Sequence, residues 1–398
     1  MRVIAGAIGI AGHSLPAIAL IKELRERGHE VRFHGFERWR DTVEGLGIAF
    51  EGGEDQIISG AAPGRQPTLA ETARALAASI AEFRPDVVVS DALTLSPLLA
   101  AEVAAVPRVK LLPEVYPVAP AGAPAFSLGL IAPRTSLGAA GWRLLAPLVQ
   151  TRMPSTGWLR GSHAALNEQR RQLGLAAQTQ INQPLPGELT LVATLPALEY
   201  PRKWPAGVHV TGPLFFDLPS PAVELPSIAA PLVFVAPSTV KDRAGRLIST
   251  TLEALAGEPV RVIVTTSDST AGLPDPLPAN AVVADWVDYS QVMREAALVI
   301  CHGNHGTVAQ ALSAGVPLAI FPAMPDDAEH GARVAWAGAG LMVPKRLLSA
   351  RALRAAVGRL LRERRFSDRA REIAGQARDH DAAGQAADLV EAHAGTTR

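Results

Sequence analysis

The stretch Cys301-His302-Gly303-Asn304-His305-Gly306-Thr307 carries the residue types most suited to chemistry. It follows the β-prone run Leu298–Cys301 and opens a helical pattern over Val308–Ala314. Gly303 and Gly306 allow a ligand to come close to the backbone. The start of the following helix offers unsatisfied N–H groups and the positive end of a dipole, which together make an anion site. His302 and Thr307 add side-chain donors. The simpler reading is a turn of small residues made for packing. Metal binding by His302 and His305 lacks ligands, because a pair at i, i+3 has no cysteine or carboxylate to complete a set. Downstream, the adjacent carboxylates Asp326 and Asp327 stand between a strand and a helix. They could accept hydrogen bonds from sugar hydroxyls; taken alone they read as helix N-cap residues. Upstream, Trp286, with Val287 beside it, places an indole at a strand end, where it could stack on a nucleobase or lie in the core.

These residues need a scaffold. The chain opens as strand (Val3–Ala7), loop (Gly9, Gly12), helix (Leu15 to Arg27) and strand (Val31–Phe36), with Gly28 as the helix stop. Such a unit implies parallel strands with helices on both faces. A strand at Val87–Val89, a helix at Leu95–Val103 and a strand at Val109–Leu112 continue it. A second series gives strands at Leu232–Val235, Val260–Thr265, Ala281–Val283, Leu298–Cys301 and Leu318–Phe321. Its helices fall at Arg243–Leu255, Val308–Ala314, Ala328–Ala337 and Ala350–Arg362, and Asp368–His393 reads as one helical stretch. Residues 113–165, rich in Pro, Gly and Ala with Tyr116, Phe126, Leu130, Trp142, Leu144 and Leu145 interspersed, predict functional loops or short mobile helices. Prolines 201, 205, 213, 219, 221 and 226 predict a stiff linker over Tyr200–Ile228.

The 398 residues suggest two or three domains, and 48% apolar against 19% charged residues allows large cores. A formal net charge of zero speaks against a nucleic-acid partner. The lone Cys301 excludes an internal disulfide and fits a reducing compartment. The apolar N-terminus could pass for a leader, but His13, Ser14 and Pro16 interrupt it and a charged helical pattern follows at once. No hydrophobic stretch runs uninterrupted over the roughly 18 residues of a membrane span. The expectation is a buried first strand, a cytoplasmic location and no integral membrane segment.

Trp286 to Gly340 resembles the C-terminal signature of the UDP-glucuronosyl/UDP-glucosyltransferase family, glycosyltransferase family 1, which includes macrolide and other natural-product enzymes. The family pattern runs Trp or Val, then His-Gly-Gly-x-Gly-Thr, Glu-Ala-Leu, Gly-Val-Pro and Asp-Gln. Here it reads Trp286, His302 to Thr307, Gln310-Ala311-Leu312, Gly315-Val316-Pro317 and Asp326-Asp327. Gly9 to Pro16, Arg27 to Val31 and Pro85 to Ala92 resemble the family's N-terminal half. The resemblance implies an α/β protein of GT-B fold, two Rossmann-like domains facing across a cleft. Its organisation would be an acceptor domain over 1–205, a linker over 206–228, a nucleotide-sugar domain over 229–375, and a C-terminal helix over 376–398 packing back on the first domain.

The resemblance further makes His13 the catalytic base and Asp91 the group that orients it. It assigns the diphosphate to His302, Gly303, Asn304, Gly306 and Thr307, with a loop at Ser238 and Thr239 approaching the phosphates. Trp286 and Val287 would hold the base, Gln310 the ribose, and Asp326 and Asp327 the sugar hydroxyls. Four departures stand out. Asn304 replaces a Gly. Gln310 replaces the Glu that holds the ribose hydroxyls, which leaves room for dTDP beside UDP. Asp327 replaces a Gln, and Asp288-Tyr289 replaces Pro-Gln. The partners implied are a dTDP- or UDP-sugar and an apolar small-molecule acceptor, with no cofactor and no metal; a homodimer is compatible with this.

The residues support such chemistry independently. An imidazole of ordinary pKa near 6.5 is neutral yet basic enough to accept a hydroxyl proton as attack proceeds. A carboxylate beside it would fix the tautomer and stabilise the imidazolium. Alone, His13 and Asp91 read as helix-start residues; their joint placement after two strands of one sheet favours a pair. Three rivals are weaker. A nicotinamide enzyme would want G-x-G-x-x-G, whereas Gly6, Gly9 and Gly12 are spaced G-x-x-G-x-x-G and Glu37 is a weak ribose ligand. A sugar-nucleotide epimerase of the same fold would not need the apolar segment 113–165. A non-catalytic nucleotide-sugar-binding helper would not need His13, Asp91 and His302.

Overall fold

The computed structural model describes residues 1–52, 67–152, 154–179, 184–219, 223, 229–237, 245–266 and 272–395. Runs of Val, Ile, Leu and Ala, too apolar to face water, form two parallel sheets covered on both sides. The first holds β1 (Arg2–Gly6), β2 (Glu30–Gly35), β3 (Ala49–Gly52), β4 (Val87–Asp91), β5 (Arg108–Leu112), β6 (Glu188–Val192) and β7 (Val208–Val210), in the order β3-β2-β1-β4-β5-β6-β7. The second holds β8 (Leu232–Ala236), β9 (Arg261–Thr265), β10 (Ala281–Ala284), β11 (Ala296–Cys301), β12 (Leu318–Ile320) and β13 (Gly340–Met342), in the order β10-β9-β8-β11-β12-β13. Each sheet reverses its winding once, between β1 and β4 and between β8 and β11. Ligands of such sheets bind outside the strand C-termini at that reversal.

In the first lobe one face buries Val3, Ala5, Val31 and Phe33 under Ile18, Ile21 and Leu24 of the helix Ala11–Glu26. The other face buries Ile4 and Val88 under the helices Leu69–Phe83 and Leu95–Val103. In the second lobe Phe234, Val299 and Cys301 pack on Val308 and Leu312, while Val233, Val235 and Ile300 pack on Leu247, Leu252, Leu353 and Leu360. Full burial of such a side chain is worth roughly 1.5–3 kcal/mol.

Several elements differ from the sequence expectation. In the stretch 113–165, expected as loops or short mobile helices, two long helices form, Ser136–Arg152 and Pro154–Gln172, the second running on past its end. Thr135 caps the first by accepting from the Gly138 N–H at 3.2 Å. Its Leu137 and Leu144 stand exposed, so no buried apolar stripe announced the helix. The stretch 368–393 is broken at Asp379–Asp381 into the helices Arg364–Arg378 and Ala382–Gly395. The last helix lies against Ala11–Glu26 of the first lobe. Its Ala386, Ala387 and Val390 join that core, and Arg27 bonds Asp388 and the Gly384 carbonyl. β7 lies inside the stretch expected as linker and is paired to β6 through Thr190↔Val208. Strands β3, β6, β7 and β13 and the helices Leu69–Phe83 and Tyr289–Glu295 were not foreseen; the strands are short, and the Thr68 capping box that starts Leu69–Phe83 was overlooked. No helix among the described residues is long and apolar enough to cross a membrane.

Candidate active site

β1 and β4 are neighbours, with Gly6 opposite Ser90, so the residues just beyond their C-termini meet at the winding reversal. Beyond β1 the chain turns into the helix Ala11–Glu26, which carries His13 in its first turn; β4 ends on Asp91. His13 Nδ1 lies 2.5 Å from Asp91 Oδ1. The Asp91 side chain is wholly buried and that of His13 partly exposed, at 19%. Asp91 Oδ2 accepts from the Leu93 N–H at 3.2 Å and from Thr94 Oγ1 at 2.9 Å. The carboxylate is therefore pinned through one oxygen and offers the other to the imidazole. An ionised carboxylate at Nδ1 calls for the proton there, which leaves the lone pair on Nε2. Thr94, a residue sequence reasoning passed over, is part of this support.

At the corresponding reversal of the second sheet, Cys301 ends β11 and residues 302–304 lead into the helix His305–Ser313. No side chain caps this helix: Asn304 occupies the N-cap position without a cap hydrogen bond. Its first amides have no intrahelical acceptors and so suit an anion. Gly303 has φ +109, and a Cβ there would stand 2.7 Å from the Asp327 carbonyl oxygen. Gly306 is exposed, and a Cβ there would meet nothing within 4 Å, so the helix start faces open space. His302 and Thr307 are buried beside it, and Gln310 is half-buried one turn on. Burial pushes the Cys301 thiol up to about 12, so it stays protonated and unreactive.

Two further histidines brace this loop: His305, weighed in the sequence only as a metal ligand, and His330. His330 Nδ1 donates to the Gly303 carbonyl at 2.8 Å. His305 Nε2 lies 2.8 Å from Thr194 Oγ1 of the first lobe, and the two imidazoles meet edge-to-face at 5.3 Å. Burial lowers both: His330 to about 4, and His305 well below the ordinary value, assisted by the charges of His330, Arg333 and His13. Deeper at the joint, Arg333 is almost fully buried. It donates to Glu329 at 2.8 Å, to Glu199 and the Leu198 carbonyl at 3.0 Å, and to the Tyr116 carbonyl at 3.2 Å. Glu329 in turn accepts from the Ser127 N–H at 3.2 Å; burial raises its carboxyl, against the pull of Arg333. Glu329 and Arg333 are an i, i+4 pair readable in sequence, whereas Glu199 carries no such signal.

Of the remaining expected residues, Trp286 is 40% exposed at the end of β10, with Tyr289 at 6.3 Å between ring centres. Val287 is a core residue, so only its backbone can face a ligand. The departure at Asp288-Tyr289 has a local reason. Asp288 caps the helix Tyr289–Glu295 by accepting from the Gln291 N–H at 3.0 Å, and Tyr289 packs edge-on against Phe234. Asp327 is wholly buried, and its Oδ2 accepts from the N–H groups of Ala323 at 3.2 Å and Met324 at 3.0 Å. That is the helix-capping role, and the half-buried Asp326 is the carboxylate nearer the surface. Ser238 and Thr239 lie outside the described residues. Among the described residues no three His, Cys, Asp or Glu side chains gather as a metal site.

Residues 3–110 match the glycosyltransferase family 28 N-terminal domain, and residues 249–391 match the erythromycin biosynthesis protein CIII-like C-terminal domain. The 4'-demethylrebeccamycin synthase of Lentzea aerocolonigenes is 29% identical, with 96% of each chain covered. The solved kitacinnamycin glycosyltransferase superposes with a TM-score of 0.74 at 21% identity, covering 98% of each chain. Glycosyltransferase VinC, solved in complex with dTDP, gives 0.68 at 20% identity and 99% coverage of each. These neighbours share the GT-B arrangement of two parallel α/β lobes.

Proposed function

We propose, from the membership of this chain in the natural-product glycosyltransferases of family 1, that it moves a sugar from a dTDP- or UDP-sugar onto a hydroxyl of an apolar acceptor, inverting the anomeric centre. One observation carries the proposal. The His13–Asp91 pair stands at the winding reversal of one sheet, and an uncapped helix start stands at the same place in the other.

In this reading the acceptor hydroxyl is polarised by His13 Nε2 as its oxygen attacks the anomeric carbon. The new carbon–oxygen bond forms while the bond to the diphosphate oxygen breaks on the opposite face. The hydroxyl proton ends on Nε2, and Asp91 balances the imidazolium. The electron pair leaves with the nucleoside diphosphate, whose growing charge meets the amides of residues 305–307, His302 and Thr307. These donors do the work a divalent cation would otherwise do. Asp326 faces the sugar, and Trp286 the base. Gln310, neutral where the family's Glu grips two ribose hydroxyls, favours dTDP, whose deoxyribose lacks the 2′-hydroxyl; VinC, a protein of the same fold, binds dTDP in its solved structure. The apolar segment 113–135 supports a lipophilic acceptor.

The test is incubation with dTDP- and UDP-hexoses and a panel of hydroxylated apolar aglycones, read by mass spectrometry. The proposal expects a product heavier by one sugar residue and an equal amount of nucleoside diphosphate. Donor loss that never depends on an acceptor would overturn it.

A further inference from the structure

Thr194 follows β6 at the C-terminal edge of the first sheet, the edge that also carries His13 and Asp91. Its hydroxyl reaches across the joint to Nε2 of His305, the first residue of the helix His305–Ser313. Thr194 is wholly buried, so its O–H needs an acceptor, and among the described residues the His305 ring nitrogen is the partner its hydroxyl finds. The hydroxyl therefore donates to Nε2, and the ring proton sits on Nδ1. Burial keeps the imidazole neutral, so this arrangement holds at ordinary pH.

The helix start has no side-chain cap of its own. Two bonds from outside hold it: His330 to the Gly303 carbonyl on one side and Thr194 to His305 on the other. The first comes from the same lobe; the second comes from the opposite lobe. We propose that His305 is a positioning residue of the donor site: the Thr194 hydroxyl holds its imidazole, and through it the amides of residues 305–307, in the orientation that receives the diphosphate. The inference rests on reading this helix start as the diphosphate site. It makes Thr194, on the lobe expected to carry the acceptor, a determinant of donor affinity, because an ordered cradle loses less freedom on binding. By reciprocity a bound diphosphate strengthens the tie between the lobes.

The experiment is a double-mutant cycle read by calorimetric titration with dTDP and UDP. Thr194→Val is expected to weaken binding about tenfold, the change that the loss of one buried hydrogen bond can produce. Thr194→Ser, which keeps the hydroxyl, restores wild-type affinity. His305→Ala matches Thr194→Val, and the pair is no weaker than His305→Ala alone. Nitrogen-15 spectra of the imidazoles should show His305 unprotonated at Nε2, with that signature lost in Thr194→Val. Wild-type affinity in Thr194→Val, additive losses in the pair, or a protonated Nε2 would each overturn the inference while leaving the donor site standing. If the wild type binds neither diphosphate, the reading of the donor site itself fails.

Discussion

Replacing Asp91 with Asn tests the catalytic pair with almost no change of shape. The wild-type carboxylate receives two donors at Oδ2, from Leu93 and Thr94, and faces His13 Nδ1 with Oδ1. In the variant the amide oxygen must stay with the two fixed donors, which turns the NH2 group towards His13. Nδ1 then has to accept, the ring proton moves to Nε2, and the ring presents no lone pair to a hydroxyl. The imidazolium that forms during transfer also loses its counter-charge. Two unit charges about 3 Å apart at an effective dielectric near 20 interact by about 5 kcal/mol. That corresponds to a loss of about 10³–10⁴ in turnover, the size of effect known for the matching change in a Ser-His-Asp triad. The assay is acceptor-dependent release of nucleoside diphosphate, with diphosphate affinity and thermal midpoint measured alongside. Both controls should stay near wild type, since the side-chain bonds of Asp91 run to His13, Leu93 and Thr94 and not to the helix start. Turnover within tenfold of wild type would refute the assignment of His13 and Asp91 as a pair.

The same geometry sets three further outcomes. Gly303→Ala forces a methyl against the Asp327 carbonyl at a left-handed backbone angle, so diphosphate binding should be lost or fall at least about tenfold by titration. Arg333→Met leaves Glu329 buried without its cation and Glu199 with Arg202 alone, at a cost of about 3–5 kcal/mol, so the thermal midpoint should drop by on the order of 10 °C. His330 is lowered from its ordinary value to about 4, so the unfolded chain binds a proton between pH 6.5 and 4 that the folded chain refuses. The group adds nothing against folding above pH 6.5. It erodes stability as pH falls through that window, by about 1.4 kcal/mol per pH unit. The midpoint should therefore fall less steeply over pH 6.5–4 in His330→Gln than in the wild type.

What the sequence made legible was local. β1, the helix after it and β2 follow from apolar spacing, Gly28 and the next β-prone run. The strand–glycine–helix pattern at 298–314 is likewise present, with the helix starting at His305. Long-range pairings left no such trace. Thr194 and His305 are 111 residues apart, Glu199 and Arg333 134, and neither pair shares an element whose periodicity could announce it. The helix Ser136–Arg152 escaped because Leu137 and Leu144 face outward, and Pro154–Gln172 because two of the three described residues it turns inward, Ser162, Leu166 and Arg170, are polar. Asp327 shows the opposite limit. Its position could be read from the chain, but only the backbone N–H groups of Ala323 and Met324 decide that its carboxylate caps a helix.

The central claim, that the start of the helix His305–Ser313 receives the diphosphate of a sugar donor, is tested most directly by thermal unfolding with dTDP, UDP, GDP and NAD. A ligand that binds only the folded chain must raise the midpoint, by an amount that grows with its concentration over its dissociation constant. The account predicts a shift with dTDP or UDP, dTDP the larger, and none with NAD. No shift with any nucleoside diphosphate would contradict it.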